Sequence, residues 1–553
     1  VPGRPLREEV MAYVNMLPSE LAAEYAREKL WMQKTVFDIL AEQAAAYPDR
    51  IAITDPKGAV SYGRLKDRIE RAAQFYRSIG VRRGDVVTIQ LPNRIDFAVA
   101  FIALELLGAI ANKVNPDFRA RELDYMLKFS GSSAYVFPKE WKDFDYAGMA
   151  RGLQQANPEL KRLIVAGGPV EGMHDFDAGV AASAPISVAD RVHMDPNEVC
   201  RMCFTSGTTG NPKCALHSFN TTLYAVELLN TDMEVTEREV FLAFLPLGLN
   251  WGYITLLQSI LAGARLVLME RFNPRAALEL IQNERVTYIP TAPAGLVGML
   301  NAPGAETFDV SSLRVVITGG ASAAVETIRE YQKRMKGHLI ELYGMLEAGF
   351  QTYTRFSDDP QKVNGTIGRP VRAMELRIVD TDWKDVRRGE VGELASRGPS
   401  IHLGYHNNLD ANAQAFNREG WFRTGDLGRV VDADGNVQIT GRSKEIINRG
   451  GKKFFPREVE EILYAHPQVL HVAMIGMPDV RLGERNCLCV VPKGDKVPTL
   501  DEFVAFLRDQ VADYKLPESV EKFGELPMTG SGKIQRHVLR DLVLQRHAIR
   551  TSH

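Results

Sequence analysis

The sequence predicts an α/β protein with a large N-terminal multi-sheet α/β domain and a small α+β C-terminal domain. Three observations lead to this prediction. The 553 residues exceed the length at which one hydrophobic core stops growing, about 250–300 residues. Helical and strand-like patterns alternate from Thr35 onward. Near Gly441 the pattern gives way to a charged, glycine-bearing segment, and a compact run of helices and strands follows.

The first alternation begins at Thr35. Residues 35–50 predict a helix, 51–55 a strand, 61–80 a second helix and 86–93 a second strand. The second helix has one apolar face, formed by Leu65, Ile69, Ala72 and Phe75 or Tyr76. Alternation of this kind is typical of α/β layers with largely parallel sheets.

The longest apolar stretch, residues 97–111 (FAVAFIALELLGAIA), is interrupted by Glu105. It is too short and too charged to span a membrane, so it predicts a buried helix. The first ten residues contain no long apolar region, and no signal peptide is visible. We therefore expect a cytoplasmic protein without a membrane span.

The alternation returns in the middle of the chain. Residues 314–320 (RVVITGG) predict a strand that ends in glycines, residues 324–335 a helix, and residues 338–344 (HLIELYG) another strand. Ligands of open α/β sheets bind beyond the carboxyl ends of the strands. Gly319, Gly320 and Gly344 are therefore candidate ligand positions.

The C-terminal segment begins after a turn at residues 432–436 and a short strand at 437–440. Two helices, two strands and a basic C-terminal helix follow it. We place the domain boundary at Gly441 to Lys444. Residues 1–441 would form the large domain and residues 442–553 the small one.

Composition excludes several classes of partner. The 67 basic and 69 acidic residues leave a net charge of −2, which gives no bulk attraction to nucleic acid or to an anionic membrane. The five cysteines fall in two distant clusters, which fits a reducing compartment. Cys200 and Cys203 have CxxC spacing without a second such pair, so we expect buried thiols in a strand. Cys487 and Cys489 alternate within an apolar run and predict another strand.

The strongest chemical signal is FTSGTTGNPK, residues 204–213. Its glycines let backbone N–H groups approach a polyphosphate, its hydroxyls add donors, and Lys213 adds positive charge. The spacing differs from the Walker A pattern, in which Ser or Thr follows Gly-Lys. Alone, the segment could also be an ordinary Ser/Thr/Gly-rich hairpin.

Six further segments accompany it in order. They are GGA (319–321), YGMLE (343–347), GEL with GP (392–399), GWFRTGDLG (420–428), GRSKEIINRGGKKFFPREVE (441–460) and LPMTGSGKIQR (526–536). Together with TSGTTGNPK they make the chain, from about Thr35 to Arg540, resemble the adenylate-forming superfamily. That superfamily contains acyl-CoA synthetases, carrier-domain adenylating enzymes and luciferases.

The resemblance implies a set of nucleotide-binding roles. Six residues of the phosphate loop and a lysine would hold the β- and γ-phosphates: Thr205, Ser206, Gly207, Thr208, Thr209, Gly210 and Lys213. The adenine would be framed by Gly319, Gly320, Ala321, Tyr343 and Gly344. Asp426 would accept hydrogen bonds from the ribose hydroxyls, with support from Arg442.

The resemblance also implies catalytic and mobile residues. Glu347 would be the carboxylate associated with Mg²⁺, together with Thr208, and Lys533 the catalytic lysine at the substrate carboxylate and α-phosphate. Lys444 would be the hinge, and rotation of the small domain would bring Gly450 and Gly451 to the pantetheine of CoA. Without these motifs, Lys533 would be an ordinary loop lysine, Asp426 a turn residue and Glu347 a helix N-terminal carboxylate.

The roles agree with the chemistry of the reaction. A carboxylate that attacks the α-phosphate of ATP joins two anions, so the transition state needs positive charge and in-line alignment. A lysine and Mg²⁺ supply that charge and act more strongly in a dry site than in water.

Four positions depart from the family pattern. Leu346 stands where Thr usually precedes the glutamate, Leu249 where His is common, and Cys214 and Phe219 replace a Gly and a His. The changes make the acyl site more apolar than usual. We interpret them as marks of a specialised member, because Lys213, Glu347, Asp426, Arg442 and Lys533 are all present.

The substrate expectation rests on the candidate acyl-site residues Asn250, Trp251, Thr255, Thr291, Gly295, Gly349 and Phe350. They include no lysine or arginine, which favours an uncharged cyclic, aromatic or medium-chain carboxylic acid. Trp251 could equally be a packing aromatic, and His217 a structural histidine.

The expected activity is that of an AMP-forming acyl-CoA ligase that uses ATP, Mg²⁺ and CoA. Some stretches also resemble aryl-acid ligases that load a free phosphopantetheinyl carrier protein, and this acceptor stays open. A non-catalytic nucleotide sensor is a third alternative, which the presence of Lys533 and Glu347 opposes. A homodimer is compatible with the resemblance.

Overall fold

A computed structural model describes residues 13–205, 212–321, 323–360, 364–442, 445–494, 496–530 and 532–551, with side chains up to residue 547. Its helices are α1 Ser19–Arg27, α2 Val36–Ala46, α3 Tyr62–Ser78, α4 Ile95–Ile102, α5 Ala120–Ser130, α6 Tyr146–Ala156, α7 Phe176–Ala182, α8 Phe219–Asp232, α9 Asn250–Ala262, α10 Pro274–Glu284, α11 Pro293–Leu300, α12 Val325–Arg334, α13 Leu409–Ala415, α14 Pro456–Leu463, α15 Leu500–Leu507 and α16 Arg536–Thr551.

Its strands are β1 Ile51–Asp55, β2 Gly58–Ser61, β3 Val86–Ile89, β4 Ile110–Lys113, β5 Ser132–Pro138, β6 Arg162–Ala166, β7 His174–Asp175, β8 Val199–Phe204, β9 Cys214–Ser218, β10 Val240–Ala243, β11 Arg265–Leu268, β12 Tyr288–Thr291, β13 Val315–Gly319, β14 His338–Met345, β15 Gly349–Tyr353, β16 Arg369–Pro370, β17 Glu375–Val379, β18 Gly392–Arg397, β19 Phe422–Val430, β20 Val437–Arg442, β21 Ile447–Arg449, β22 Lys452–Phe454, β23 Val469–Asp479, β24 Gly483–Pro492 and β25 Ser519–Lys522.

The chain divides into two compact units. Unit 1 contains residues 1–290, 345–350 and 398–420, and unit 2 contains residues 291–344, 351–397 and 421–553. In unit 1 a seven-stranded sheet has the order β7-β6-β5-β3-β4-β8-β9 and is parallel except for β9. A second set of strands in unit 1 has the order β10-β11-β1-β2.

Unit 2 contains three sets of strands. One has the order β16-β15-β14-β13, in which β13 and β14 are parallel. The second is the antiparallel sheet β17-β18-β19-β20. The third is built on the long antiparallel hairpin of β23 and β24, with β25 parallel to β24. Helices α14 and α15 cover one core of this last sheet.

Most of the predicted elements are confirmed. The helix after Thr35 begins with a capping box formed by Thr35 and Asp38, and α3 buries Leu65, Ile69 and Ala72 on one face, as predicted. Cys200 and Cys203 lie in β8 and Cys487 and Cys489 in β24, all buried and unbridged.

The prediction for residues 97–111 was wrong in part. The helix α4 ends at Ile102, a short 3₁₀ turn spans Glu105–Leu107, and β4 begins at Ile110. Gly108 has a positive φ of 65°, a conformation that suits glycine and ends the turn. The run looked helical because both the helix and the strand are buried on every side and show no periodicity.

Candidate active site

The phosphate-loop segment forms the connection between two antiparallel strands of unit 1. Strand β8 ends at Phe204 and β9 begins at Cys214, with these two residues paired. The Thr205 N–H donates to the Lys213 carbonyl at 2.8 Å, and the Lys213 N–H donates to Thr205 Oγ1 at 3.2 Å. Both ends of the loop are therefore held together. The predicted residues Ser206, Gly207, Thr208, Thr209 and Gly210 lie outside the described residues.

Tyr405 connects two of the predicted residues in unit 1. Its hydroxyl donates to Glu347 Oε1 at 3.1 Å, and Lys213 Nζ lies 4.7 Å from the centre of its ring. Burial and the Glu347 carboxylate both raise the pKa of Tyr405, so it remains a neutral donor. Tyr405 thus contacts a buried carboxylate through its hydroxyl and a cation through the face of its ring. No sequence pattern pointed to Tyr405, because the contact joins residues 58 positions apart.

The donor chemistry of Glu347 fits Mg²⁺. A carboxylate is a ligand that Mg²⁺ prefers, and this ion is commonly held by one or two carboxylates plus substrate phosphates. In the described part of the chain, no group of three or more His, Cys, Asp or Glu residues forms a dedicated metal cage. A protein carboxylate connected through Tyr405 to Lys213 is consistent with that mode of binding.

His217 is a structural histidine in unit 1. Its Nε2 donates to the Leu346 carbonyl at 2.8 Å, and Nδ1 lies 3.3 Å from Thr221 Oγ1. Burial holds the pKa of His217 well below its usual value. The backbone at Leu346 is therefore fixed by a neutral imidazole. Cys214 and Phe219, which stand where the family pattern has Gly and His, are both buried.

In unit 2, three predicted nucleoside-binding residues contact one another. Tyr343 donates to Asp426 Oδ2 at 2.7 Å, and Arg442 Nε lies 2.8 Å from Asp426 Oδ1. The register of β19 and β20 pairs Asp426 with Arg442 directly. Burial, reinforced by Asp426, raises the pKa of Tyr343 well above its usual value. Both carboxylate oxygens of Asp426 are thus fixed.

The predicted adenine-binding glycines lie at or next to the ends of strands. Gly319 ends β13, and Gly320 follows with φ 77° at the carboxyl end of the sheet, next to Ala321. Gly344 is the penultimate residue of β14. The structure therefore places these predicted residues at strand ends, as expected for ligand contacts.

The lysine loop of unit 2 is a tight turn. The Thr529 N–H donates to the Lys533 carbonyl at 2.7 Å, and the Lys533 N–H donates to Thr529 Oγ1 at 3.1 Å. Gly532 has φ 80°, and a Cβ there would lie 2.6 Å from the Cβ of Ala292. The loop therefore packs directly beside the start of α11, and only glycine allows this approach.

This packing brings two predicted acyl-site positions near the lysine loop. Thr291 precedes Ala292 and is fully buried, and Gly295 is buried in the first turn of α11. Within unit 2 the sequence-predicted Lys533 and Thr291 therefore belong to one local structure.

The remaining acyl-site residues lie in unit 1. Asn250, Trp251 and Thr255 occupy the first two turns of α9. Gly349 has φ 63°, and a Cβ there would lie 3.1 Å from both Ala225 Cβ and Ser400 Cβ. Any side chain at 349 would therefore disturb its neighbours. Phe350 is buried.

Sequence reasoning missed a cation at this position. Arg201 Nη1 donates to Asn250 Oδ1 at 2.9 Å. The predicted acyl-site set contained no lysine or arginine, because it did not include Arg201 of β8, a neighbour of Asn250. Arg201 lies 49 positions from Asn250, so only the tertiary fold reveals the contact.

The predicted CoA-binding glycines lie in the turn between β21 and β22. Gly450 has φ 59° and Gly451 φ 82°, and the Gly450 N–H donates to the Leu482 carbonyl at 2.7 Å. A Cβ at Gly451 would meet no heavy atom within 4 Å. The predicted hinge residue Lys444 lies outside the described residues.

Comparison with protein families now identifies the chain. The AMP-binding enzyme family matches residues 40–406, and the AMP-binding enzyme C-terminal domain matches residues 458–533. The chain belongs to the AMP-binding enzyme family. It is thus an adenylate-forming ligase, as the motifs predicted.

Relatives of this AMP-binding enzyme cover nearly its whole length. It is 34% identical over 538 residues to 2,3-dihydroxybenzoate-AMP ligase of Bacillus subtilis, covering 96% of this chain and 97% of the relative. It is 32% identical over 547 residues to the medium-chain fatty-acid–CoA ligase of Escherichia coli, covering 98% and 96%.

A solved structure confirms the fold class. The anthranilate CoA ligase in complex with anthranoyl-AMP superposes with a TM-score of 0.86 and 25% identity, covering 93% of this chain and 98% of that one. In the part of this AMP-binding enzyme that the structure describes, no helix has the length and apolar character needed to cross a membrane.

Proposed function

We propose that this AMP-binding enzyme is an acid–thiol ligase. It adenylates a cyclic, aromatic or medium-chain carboxylic acid with ATP and then transfers the acyl group to CoA. The proposal is supported by the similarity to one relative named for an aromatic acid, another named for medium-chain acids, and an aromatic CoA ligase. The single observation that carries it is the Tyr343–Asp426–Arg442 arrangement, within the same unit as the Lys533 loop.

The nucleoside is assigned to this arrangement. Tyr343 contacts Oδ2 of Asp426, and Arg442 contacts Oδ1. Each of these oxygens can accept one more hydrogen bond. A vicinal diol such as ribose donates two hydrogen bonds with suitable spacing. Because the carboxylate is already fixed, binding the diol costs little further ordering.

The adenylation step joins the carboxylate oxygen of the acid to the α-phosphorus and breaks the bond to pyrophosphate. We assign Lys533 to the acid carboxylate and the α-phosphate, and Lys213 with the loop 205–210 to the departing phosphates. Mg²⁺, when bound at Glu347, supplies further positive charge at the phosphates. Tyr405 holds Glu347 in place through its hydroxyl.

The second step needs a thiol near the adenylate carbonyl. The thiol sulfur attacks this carbon, AMP leaves with the electron pair of the broken C–O bond, and the thiol proton is released. We assign the Gly450–Gly451 turn to the pantetheine arm, because an exposed turn without side chains admits a narrow ligand closely. Residues 442–553 form the small domain of this proposal, with Lys444 as its hinge.

A carrier protein is the second candidate acceptor. It is favoured by the similarity to 2,3-dihydroxybenzoate-AMP ligase. In this case the same adenylate forms, and a phosphopantetheinyl thiol on a free protein takes the place of CoA.

The test measures pyrophosphate release from ATP and Mg²⁺ with aromatic, alicyclic and medium-chain acids, with and without CoA. We expect acid-dependent release, with CoA-dependent turnover and AMP formation. A single burst that CoA does not relieve would identify a carrier protein as the acceptor. No acid-dependent release with any acid of the panel would contradict the proposed function.

The matched variants are Lys533→Ala and Lys522→Ala. We expect Lys533→Ala to slow adenylation by roughly 100- to 1,000-fold, because it removes a charge that stabilises the transition state. It should still form thioester from supplied acyl adenylate, because the second step does not use this lysine. Lys522 is exposed in β25 of the same unit, and its alanine variant should keep wild-type rates. Equal losses in both steps would count against the assigned role.

A further inference from the structure

Helix α12 of unit 2 begins at a residue that cannot cap it. The N-cap residue, Ala324, has an extended backbone and no side-chain oxygen that could accept a hydrogen bond. The first N–H of the helix, that of Val325, instead donates to Glu461 Oε1 at 2.6 Å. A carboxylate in this place satisfies an orphan donor and interacts favourably with the helix dipole. Glu461 is therefore a helix cap supplied by a distant segment of the chain.

This cap joins the two sides of the proposed hinge. Glu461 lies in α14, within the segment 442–553 that the proposed function assigns to the small domain. Val325 lies before the hinge, and both residues belong to unit 2. Helix α12 begins shortly after the predicted adenine-binding segment 319–321. The carboxylate of Glu461 therefore ties the small domain to the helix that follows this segment.

An arginine of the same helix holds the second oxygen of this carboxylate. Arg457 Nη2 lies 3.5 Å from Glu461 Oε2, one helical turn earlier in α14. A second carboxylate, Glu341 of β14, is buried and accepts the Gly365 N–H at 3.2 Å. Burial raises the pKa of Glu341 to about 8; the Gly365 N–H and Arg457 oppose this rise, and Glu461 adds to it. Glu341 is therefore mainly protonated at neutral pH, and the charge of Arg457 is balanced by Glu461.

The preceding residue of α14 contacts the end of the lysine loop. Glu460 is buried and accepts two hydrogen bonds from Arg536, at 2.5 and 2.9 Å. Arg536 begins α16 and follows shortly after Lys533. The Gln535 N–H donates to the Pro527 carbonyl at 2.9 Å, which closes the loop. A continuous series of contacts therefore runs from the start of α12 through α14 to the loop that carries the lysine.

We propose, resting on the proposed function, that Glu461 is a positioning residue for adenylation, because its cap on α12 keeps the Lys533 loop against α11. In this arrangement Gly532 packs directly beside Ala292. A hydrogen bond to a carboxylate is roughly twice as strong as one between neutral groups, so the cap favours this arrangement measurably. When the small domain rotates for the second step, the contact with Val325 breaks. Glu461 therefore stabilises the arrangement for the first step relative to that for the second.

The experiment removes each partner of the contact separately. Glu461→Ala removes the acceptor, and Val325→Pro removes the donor, because proline has no N–H. Proline is favoured at the first position of a helix. The backbone of Ala324, with φ −69° and ψ 140°, already has the extended conformation that a residue before proline adopts. Val325→Pro should therefore delete the hydrogen bond and leave α12 folded.

Two rates are measured for each variant. The first is acid-dependent pyrophosphate release, and the second is thioester formation from supplied acyl adenylate with the thiol that the wild type uses. We expect each variant to slow pyrophosphate release by roughly 10-fold and to leave thioester formation at or above the wild-type rate. The double variant should be no slower than the slower single variant, because both changes remove the same contact.

Two further variants serve as controls. Glu461→Gln keeps an acceptor oxygen without the charge and should recover part of the lost rate of pyrophosphate release. Glu330→Ala removes a carboxylate further along α12, whose neighbouring cations lie 3.9 Å away. It should keep both rates, because it changes the charge of the same helix without touching the cap.

The outcomes separate the positioning role from a merely structural one. A cap that only stabilises the fold would lower both rates together, and this result would overturn the proposal. Unchanged pyrophosphate release in folded Glu461→Ala and Val325→Pro would also overturn it, as would a double variant whose two losses add. Absence of pyrophosphate release in the wild type with every acid would instead contradict the proposed function itself.

Discussion

Two arginines, the buried Arg201 and the half-buried Arg536, differ in how their charge is balanced. Arg536, in unit 2, forms a two-pronged ion pair with Glu460 at 2.5 and 2.9 Å and a further contact with Glu445 at 3.2 Å. Arg201, in unit 1, has a hydroxyl, a thiol and an amide as partners. Burial opposes the charge of Arg536, but its two carboxylates raise the pKa of this guanidinium on balance.

The difference separates a cation paired with carboxylates from a cation whose hydrogen-bond partners are neutral. Arg536 begins α16 and also donates to the Met474 carbonyl in β23, while Glu460 lies in α14. Its network joins three elements, and the two carboxylates leave no net positive charge. Arg201 and Lys113 are both buried beside the ring of Tyr253 in α9, and neither forms an ion pair with a carboxylate of the described residues. Burial of a charge therefore indicates a binding function only when its counter-charge is missing.

The largest effect on stability should come from breaking the balanced pair. Arg536→Met leaves Glu460 buried without its cation, and we expect the free energy of unfolding of the local structure to fall by about 3–5 kcal/mol. Hydrogen exchange in β23 and β24 would report this loss. Gln545→Met, at an exposed position on the same helix, should change it by less than about 0.5 kcal/mol. Equal effects at both positions would show that the network is not structural.

A second test compares a buried carboxylate that lacks a cationic partner with one that has two. Glu105 is buried and accepts the Phe37 N–H at 3.0 Å, and within the described residues no cation hydrogen-bonds to it. Burial raises the pKa of Glu105 from 4.5 to about 8. The unfolded chain therefore releases a proton between these values that the folded protein keeps, and stability falls as the pH rises through this window.

Glu105→Gln removes this dependence. We expect it to stabilise the protein by roughly 1–3 kcal/mol at pH 8 and by much less at pH 5, measured as shifts of the urea midpoint. Glu70 is the control, because Lys66 and Arg191 both pair with it at 2.6 Å. Glu70→Gln should destabilise instead. A shift of Glu105→Gln that does not grow with pH would contradict the raised pKa.

The smallest effect should come from removing the unbalanced charge. Arg201→Met loses three hydrogen bonds but relieves the repulsion with Lys113, so we expect stability to change by only about 1 kcal/mol. Thermal unfolding of this variant beside Arg536→Met measures the contrast. Comparable losses in both variants would mean that Arg201 is mainly structural and would remove the basis of the comparison.

The sequence alone determined the fold class, most helices and strands, and the family. It succeeded because helix and strand periodicities are local, as the Thr35 cap and the apolar face of α3 illustrate. The motif residues Tyr343, Asp426 and Arg442 were also predicted without a structure, and the contact between Asp426 and Arg442 follows from the register of β19 and β20.

Other features depend on the tertiary structure and could not be predicted from local sequence signals. The segment 97–111 divides into helix, turn and strand because burial on all sides removes the periodicity that distinguishes them. Tyr405 meets Glu347, and Arg201 meets Asn250, across separations of 58 and 49 residues. Only the tertiary structure brings such residues together, because contacts between distant side chains depend on how elements pack and leave no periodic signal in the chain. The balance of buried charge depends on the same packing of distant residues.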